Sequence, residues 1–346
     1  MSAPSSPPIA STSRSSPSSL PSSPQLPIHS QSSPTSRIEE YLLLLLSDSN
    51  LPTGGFVASS GLESFIQHGY INSPTSCSTS TSTTSTSTTE ETERGLVEFV
   101  EMSLNNYSNL NSEIVKRSFR SIERFRHEGK GKEKEKGGRI ETVMEELYET
   151  DRLCEDMILN GISKRASIAQ GNALLSLYSR ALAPNSKIGG DEGVVELVER
   201  VRREVRRGGG WKGHQSTSFG IVMAAVGLSL DRALHLFLFL HARSILSSAV
   251  RLNVIGPYLA HRLLLWEVRD LVERATEEIT QSEGVKEETE EGRTAVEGDW
   301  WDNDHEWAFL GENVPGRRGK EPVTTWPLGE IVASRHDQLF TKVFNS

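Results

Sequence analysis

Residues 230 to 252, LDRALHLFLFLHARSILSSAVRL, are apolar almost all the way round once wound into a helix, and no alternating strand period runs through them. A helix of that kind needs other helices on every side, so the sequence predicts it at the centre of a helical bundle. Asp231, Arg232, His235, His241 and Arg243 interrupt it too closely for a membrane span, and none is predicted.

The rest of the chain supplies the neighbours. RIEEYLLLLLSDSN (37–50) reads as a short, very apolar helix stopped by its Ser/Asp/Asn cluster. LESFIQHGYI places Leu62, Phe65 and Ile66 on one face and closes at Gly69, a residue type suited to a left-handed cap. TERGLVEFVEMSLNNYSNL and NSEIVKRSFRSIERFRHEG read as two amphipathic helices, built on Leu96, Phe99 and Val100 and on Ile114, Val115, Phe119 and Ile122. ETVMEELYETDRLCEDMILN, a run from Ser163 to Pro184 and the basic VVELVERVRREVRRGGG follow. From STSFG onward, three helices are separated at Gly227 and at Gly256-Pro257. Strand-like alternation hardly occurs. The expected fold class is all-α, a single helical bundle of roughly ten helices.

Four segments stand outside this pattern. Residues 1–36 hold 15 Ser and 8 Pro, no acid, and Arg14 alone among Lys and Arg, which reads as a disordered leader. It lacks the apolar run of a secretory signal and has less arginine than transit peptides carry. Flexible inserts are expected at 73–89 (Ser/Thr), 128–139 (Gly/Lys) and 280–325, the last acidic but holding Trp300, Trp301, Trp307 and Phe309. The helical domain is thus placed at 37–346, with a polar tail at 335–346.

Composition narrows the chemistry. The net charge of -9, with no dominant basic stripe, argues against nucleic acid as the main partner. Cys77 and Cys154 sit in unlike surroundings, which suggests neither a disulfide framework nor a thiolate site and fits a reducing cytoplasm. LPTGGFVASSG (51–61) has no Gly-x4-Gly-Lys spacing and no preceding strand for a phosphate loop, and no Gly-x-Ser-x-Gly elbow. His235 and His241 fall on different helix faces, and the HDQ of 336–338 is a weak ligand set alone. No catalytic, cofactor or metal residues are assigned, which favours binding over catalysis.

Four ordered blocks then carry a resemblance. They are LLLLLSDSNLPTGGFVASSGLESFIQHGYI, RASIAQGNALLSL with Arg165, Ser167, Gln170 and Gly171, the block from His214 through Phe219-Gly220 and Arg251 to Gly256, and the ending SRHDQLFTKVFNS. Together they resemble the urease accessory protein UreF family, in a eukaryotic, fungal-type form. Departures from the family pattern are Ala58, where an aromatic or histidine is common, Ser216 in place of proline, and Lys342 and Asn345 near the end.

The resemblance implies an all-helical, non-catalytic assembly factor in nickel urease maturation. It implies binding to the accessory protein UreD (UreH in some systems), recruitment of the GTPase UreG to apo-urease, and a homodimer within the complex, with Ni²⁺ and GTP used by the assembly and no cofactor held tightly. Partner contacts are expected among Glu63, Arg165, Gln170, Arg251, Arg335, His336, Phe340 and Phe344. The tail, with Phe340, Val343 and Phe344 as anchors, is expected to be mobile alone and to dock on UreD; packing on its own bundle is the alternative. Glu63, Lys164, Arg165 and Arg251 either pair with each other or line a recognition surface, and some of Glu63, Arg165 and Arg251 are expected to form the surface read by UreG. Two rival readings are regulation of UreG turnover through Arg165 or Arg251, and a helical enzyme using His214 and His336 as acid and base.

Overall fold

The computed structural model describes residues 34–71, 85–128, 136–184, 191–290 and 323–345, and these contain helices and turns but no strand. In chain order the α-helices are α1 (Pro34–Leu46), α2 (Leu62–Gln67), α3 (Ser85–Glu128), α4 (Lys136–Met157), α5 (Gly161–Leu177), α6 (Glu192–Arg207), α7 (Gln215–Val226), α8 (Leu230–Arg251), α9 (Pro257–Leu265), α10 (Glu267–Glu290) and α11 (Pro327–Ser334). Tight 3₁₀ turns occupy Gly55–Val57 and Arg335–Gln338, and a π turn at Tyr178–Leu182 prolongs α5. The all-α expectation holds.

The centre of the bundle is α7 rather than α8. Every residue from Ser216 to Ala224 is buried, and α7 packs against α3, α4, α5, α6 and α8. Small side chains make this possible: a Cβ on Gly220 would lie 2.4 Å from the Val115 carbonyl of α3, so the two backbones approach as only glycine allows. Helix α8 buries one side, through Leu234, Phe237, Leu238, Ile245 and Ala249, and leaves Asp231 and His235 to solvent. Among the described residues it is the one helix long and apolar enough to cross a membrane, although 56% of its most apolar stretch is buried in the bundle.

The two amphipathic segments that meet near Asn111 form one continuous helix of 44 residues, α3. Its mid-helix asparagines do not break it, because Asn109 and Asn111 donate to the carbonyls of Asn105 and Tyr107 one turn back. The insert boundaries move in the same sense. Helix α3 begins inside the Ser/Thr tract and α4 inside the Gly/Lys segment, since extending a nucleated helix by a turn is far easier than starting one. Arg139 of α4 donates to the Phe125 carbonyl and lies over the Phe125 ring, tying the two helices together. Helix α10 likewise enters the acidic insert as far as Glu290, and residues 323–325 are already anchored. Most of the leader, the middle of each insert, Cys77, Trp300, Trp301, Trp307 and Phe309 lie outside the described residues.

Caps explain most of the remaining ends. Asn160 accepts from the Ile162 and Ser163 amides at 2.9 and 3.5 Å, and Asp191 from those of Gly193 and Val194 at 3.0 and 3.3 Å. Gly69 closes α2 in the left-handed region, as its place after the apolar run predicts. The single helix expected after Pro257 is split at Trp266, with neither Gly nor Pro at the break.

Candidate functional site

The loop and short helix of the first block form a seat for the end of the chain. Gly61 precedes α2 with φ of 84°, and a Cβ there would lie 2.9 Å from the Ala333 Cβ of α11. A larger residue would therefore both strain the backbone and lift α11. One turn on, the Ser64 hydroxyl donates to the Val332 carbonyl at 2.6 Å. Gln67 donates to the Thr341 carbonyl at 2.8 Å, and the Val57 carbonyl accepts from the Asn345 amide at 3.0 Å. Residues 323–345 thus lie across the bundle as a strap.

Glu63 is the inner clasp. Its carboxylate is 1% exposed and accepts from the His336 Nε2 at 2.9 Å, the Val343 amide at 2.6 Å and the Phe344 amide at 3.1 Å. Three donors satisfy a charge that would otherwise be stranded in the interior. From α5, Arg165 donates to Asp337 at 2.7 Å, and this hydrogen bond holds the Asp337 carboxyl below its ordinary value. From the end of α8, the Arg251 guanidinium stands 4.3 Å from the centre of the Phe344 ring. Burial pushes the Arg251 pKa down.

A fourth anchor, Asn106 of α3, holds the other end of the strap. Its Oδ1 accepts from the Thr324 hydroxyl at 3.0 Å and from the Thr325 and Trp326 amides at 2.7 and 3.2 Å, while its Nδ2 donates to Glu330 at 2.9 Å. Trp326 then packs its ring against Phe65 and Phe99. Beside α11, loop 48–61 and helices α3, α5, α8 and α9 bound a cavity of about 900 Å³, lined among others by Ala58, Tyr107, Asn160, Gln170, His241 and Arg251.

A second polar cluster holds the entry to α7. Asp151 accepts from the backbone amides of Lys212, Gly213 and His214. His214, fully buried, shares its Nε2 with Glu155 at 2.8 Å and its Nδ1 with the Ser167 hydroxyl at 3.2 Å. Partial burial opposes ionisation of Glu155, but hydrogen bonds from Lys164 and His214 outweigh it and keep the carboxyl below its ordinary value. His214 and His336 thus belong to separate carboxylates and form no acid–base pair with each other. Among the described residues no three His, Cys, Asp or Glu side chains are grouped to hold a metal ion.

Comparison with known proteins bears directly on this arrangement. The UreF family model matches residues 91–266. The chain is 37% identical over 322 residues to urease accessory protein 6 of Cryptococcus neoformans var. grubii, covering 89% of this chain and 97% of that one. This chain belongs to the UreF family. It is also 27% identical over 223 residues to an uncharacterized UreF-like urease accessory protein of Schizosaccharomyces pombe, covering 64% and 76%. With urease accessory protein F of Oryza sativa subsp. japonica it shares 26% over 245 residues, covering 71% and 74%. The chain is therefore a urease accessory protein of fungal UreF type, with a role in urease maturation.

In this UreF chain most of the residues singled out from sequence meet at the strap, but in pairs rather than as a free surface. Glu63 with His336, Arg165 with Asp337, and Arg251 with Phe344 join segments remote in sequence. Gln170 lines the cavity beside Gly55, and Arg335 is exposed. The tail is not free: Phe344 is 3% exposed against the bundle, whereas Phe340 is fully exposed. The expectation of a mobile tail is corrected by the Glu63 clasp, because releasing the tail would leave that carboxylate buried without donors. Lys164 pairs with Glu155 at 3.0 Å. Asn106 and Asp337 gave no strong sequence signal; the density of asparagines in NNYSNLN was the available hint. Ser216, at the position the family commonly gives to proline, donates to Asn111 at 2.5 Å.

Proposed function

We propose that this chain is a non-catalytic, cytoplasmic scaffold of urease maturation that binds UreD and, with it, recruits UreG to apo-urease, dimerising within that assembly. No cofactor is held tightly; Ni²⁺ and GTP are used by the complex. The observation that supports this reading best is the strap itself. One residue from each of the first three resemblance blocks, Glu63, Arg165 and Arg251, grips the fourth. Such a construction fixes the shape of a surface, and it turns Phe340 and Val343 outward, where large apolar groups serve as anchors for another protein.

The test is co-purification of the full chain with the UreD and UreG proteins of the same organism. Deleting 335–346 should abolish recovery of UreD, and Phe340→Ser should weaken it while the fold is kept. Unchanged recovery in both would overturn the reading. A second reading, regulation of UreG turnover, is favoured at Arg251 over Arg165, because Arg165 is engaged by Asp337. GTP hydrolysis by UreG measured with wild-type and Arg251→Ala chains separates the two.

A further inference from the structure

Arg251 differs from the other charges at the strap. Glu63 has His336 and Arg165 has Asp337, but among the described residues no carboxylate forms an ion pair with Arg251. It stacks on the face of the Phe344 ring. Stacking uses the plane of a guanidinium and leaves its N–H edge, the fork that matches a carboxylate in two parallel hydrogen bonds. The ring also fixes the orientation of that fork, so little side-chain freedom remains to be lost on binding.

Arg251 lines the cavity of about 900 Å³, whose walls include Leu46, Tyr107, Phe219 and Leu246. At the mouth, Phe56, Leu159 and Ile331 are 63%, 84% and 61% exposed. Three large apolar side chains around the opening extend the contact surface beyond what a small molecule inside would cover, and fit a polypeptide.

We propose that this cavity receives an apolar segment of a protein partner bearing an aspartate or glutamate, with the carboxylate closing on Arg251. The proposal rests on the scaffold reading above, and its occupant belongs to one of the maturation partners rather than to a second copy of this chain. Ala58 contributes room: it is 7% exposed and lines the cavity where the family pattern commonly has an aromatic or histidine.

The test uses the full chain titrated with purified UreD and UreG of the same organism, and a benzoylphenylalanine crosslinker in place of Leu159. Arg251→Lys keeps the charge but loses the fork and should weaken association at least tenfold. Because Arg251 also covers Phe344, the independent variant is Leu159→Asp, which leaves the strap untouched and sets an anion at the mouth against the incoming carboxylate; it should weaken association at least tenfold too. Crosslinked peptides should contain an acidic residue among apolar ones. Wild-type affinity retained in both variants, crosslinks to peptides without a carboxylate, or crosslinks only within this chain or to its copy would overturn the proposal while the scaffold reading stands. Failure of the wild-type chain to bind either protein would overturn the scaffold reading and this proposal with it.

Discussion

A single carboxylate decides whether the last residues of the strap stay down. Removing one member of a buried ion pair costs about 3–5 kcal/mol when the structure cannot relax, because the remaining group is left unpaired. Here relaxation is available, since residues 339–345 can lift away. Glu63→Ala should therefore express as a lost clasp rather than a lost fold: amide exchange at Val343 and Phe344 rises at least tenfold, while the core amides of α7 keep their protection. Glu63→Gln retains the shape and one acceptor oxygen and should fall between. Asp337 gives a milder, exposed counterpart. Its pKa is depressed, so its contribution is present above the ordinary aspartate value and is lost as pH falls through the lower folded one. Asp337→Asn should consequently remove the acid-side loosening of the strap below about pH 4, read by the same exchange experiment. Glu63, Lys164, Arg165 and Arg251 are visible in the sequence as charged residues within or beside apolar helices, and His336 as part of the HDQ of 336–338. Their pairing is not, because Glu63 and His336 are 273 positions apart and no local periodicity encodes which remote segments meet.

At the scale of elements, the strap depends on α3 as much as on α2. Asn106 offers one oxygen to three donors and its amide to Glu330, a set that no hydrophobic replacement can reproduce. Asn106→Leu leaves the Thr325 and Trp326 amides unpaired, at about 1–3 kcal/mol for each one that stays buried. Proteolysis should then open the chain near 323–326 at a protease level that leaves the wild type intact, with α11 following. An unchanged digestion pattern would mean that Trp326 packing alone holds this end. The same scale shows what periodicity can and cannot read. Helices α6 and α8 were legible because their apolar residues recur at helical spacing, down to Val194, Leu197, Val198, Val201 and Val205. The apolar circumference of 230–252 points to α8 as the centre, but α7 takes that place, because Ser216, Thr217, Ser218 and Gly220 are small enough to admit neighbouring helices closely. Periodicity gives the two halves of α3 as separate amphipathic segments; they run on as one helix because the asparagine side chains at the junction bond back to the preceding turn.

For the molecule as a whole, the bundle around the cavity carries a built-in acid sensitivity. His241 of α8 stacks on Tyr107 of α3 at 3.8 Å between ring centres, and its Nε2 lies 3.0 Å from the Ser103 hydroxyl. Desolvation of this partly buried imidazole, which has no carboxylate partner among the described residues, pushes its pKa down to about 3 from 6.5. Between those values the unfolded chain binds a proton that the folded chain refuses, so folding stability must rise with pH across that interval and fall as acid is added. The stabilising neutral state is complete above about pH 6.5, and each unit below it removes up to about 1.4 kcal/mol from this group alone. His241→Phe preserves the stack on Tyr107 and abolishes the titration. Denaturant unfolding at pH 7 and at pH 5 should therefore show the wild type losing up to about 2 kcal/mol more than the variant, the product of 1.5 units and that slope. Because α3, α8 and the strap share this interior, the loss should register in one cooperative transition. Equal losses in the two proteins would place the charged imidazole in a solvated setting and the acid sensitivity elsewhere, in the carboxylates that hold the strap and the entry to α7.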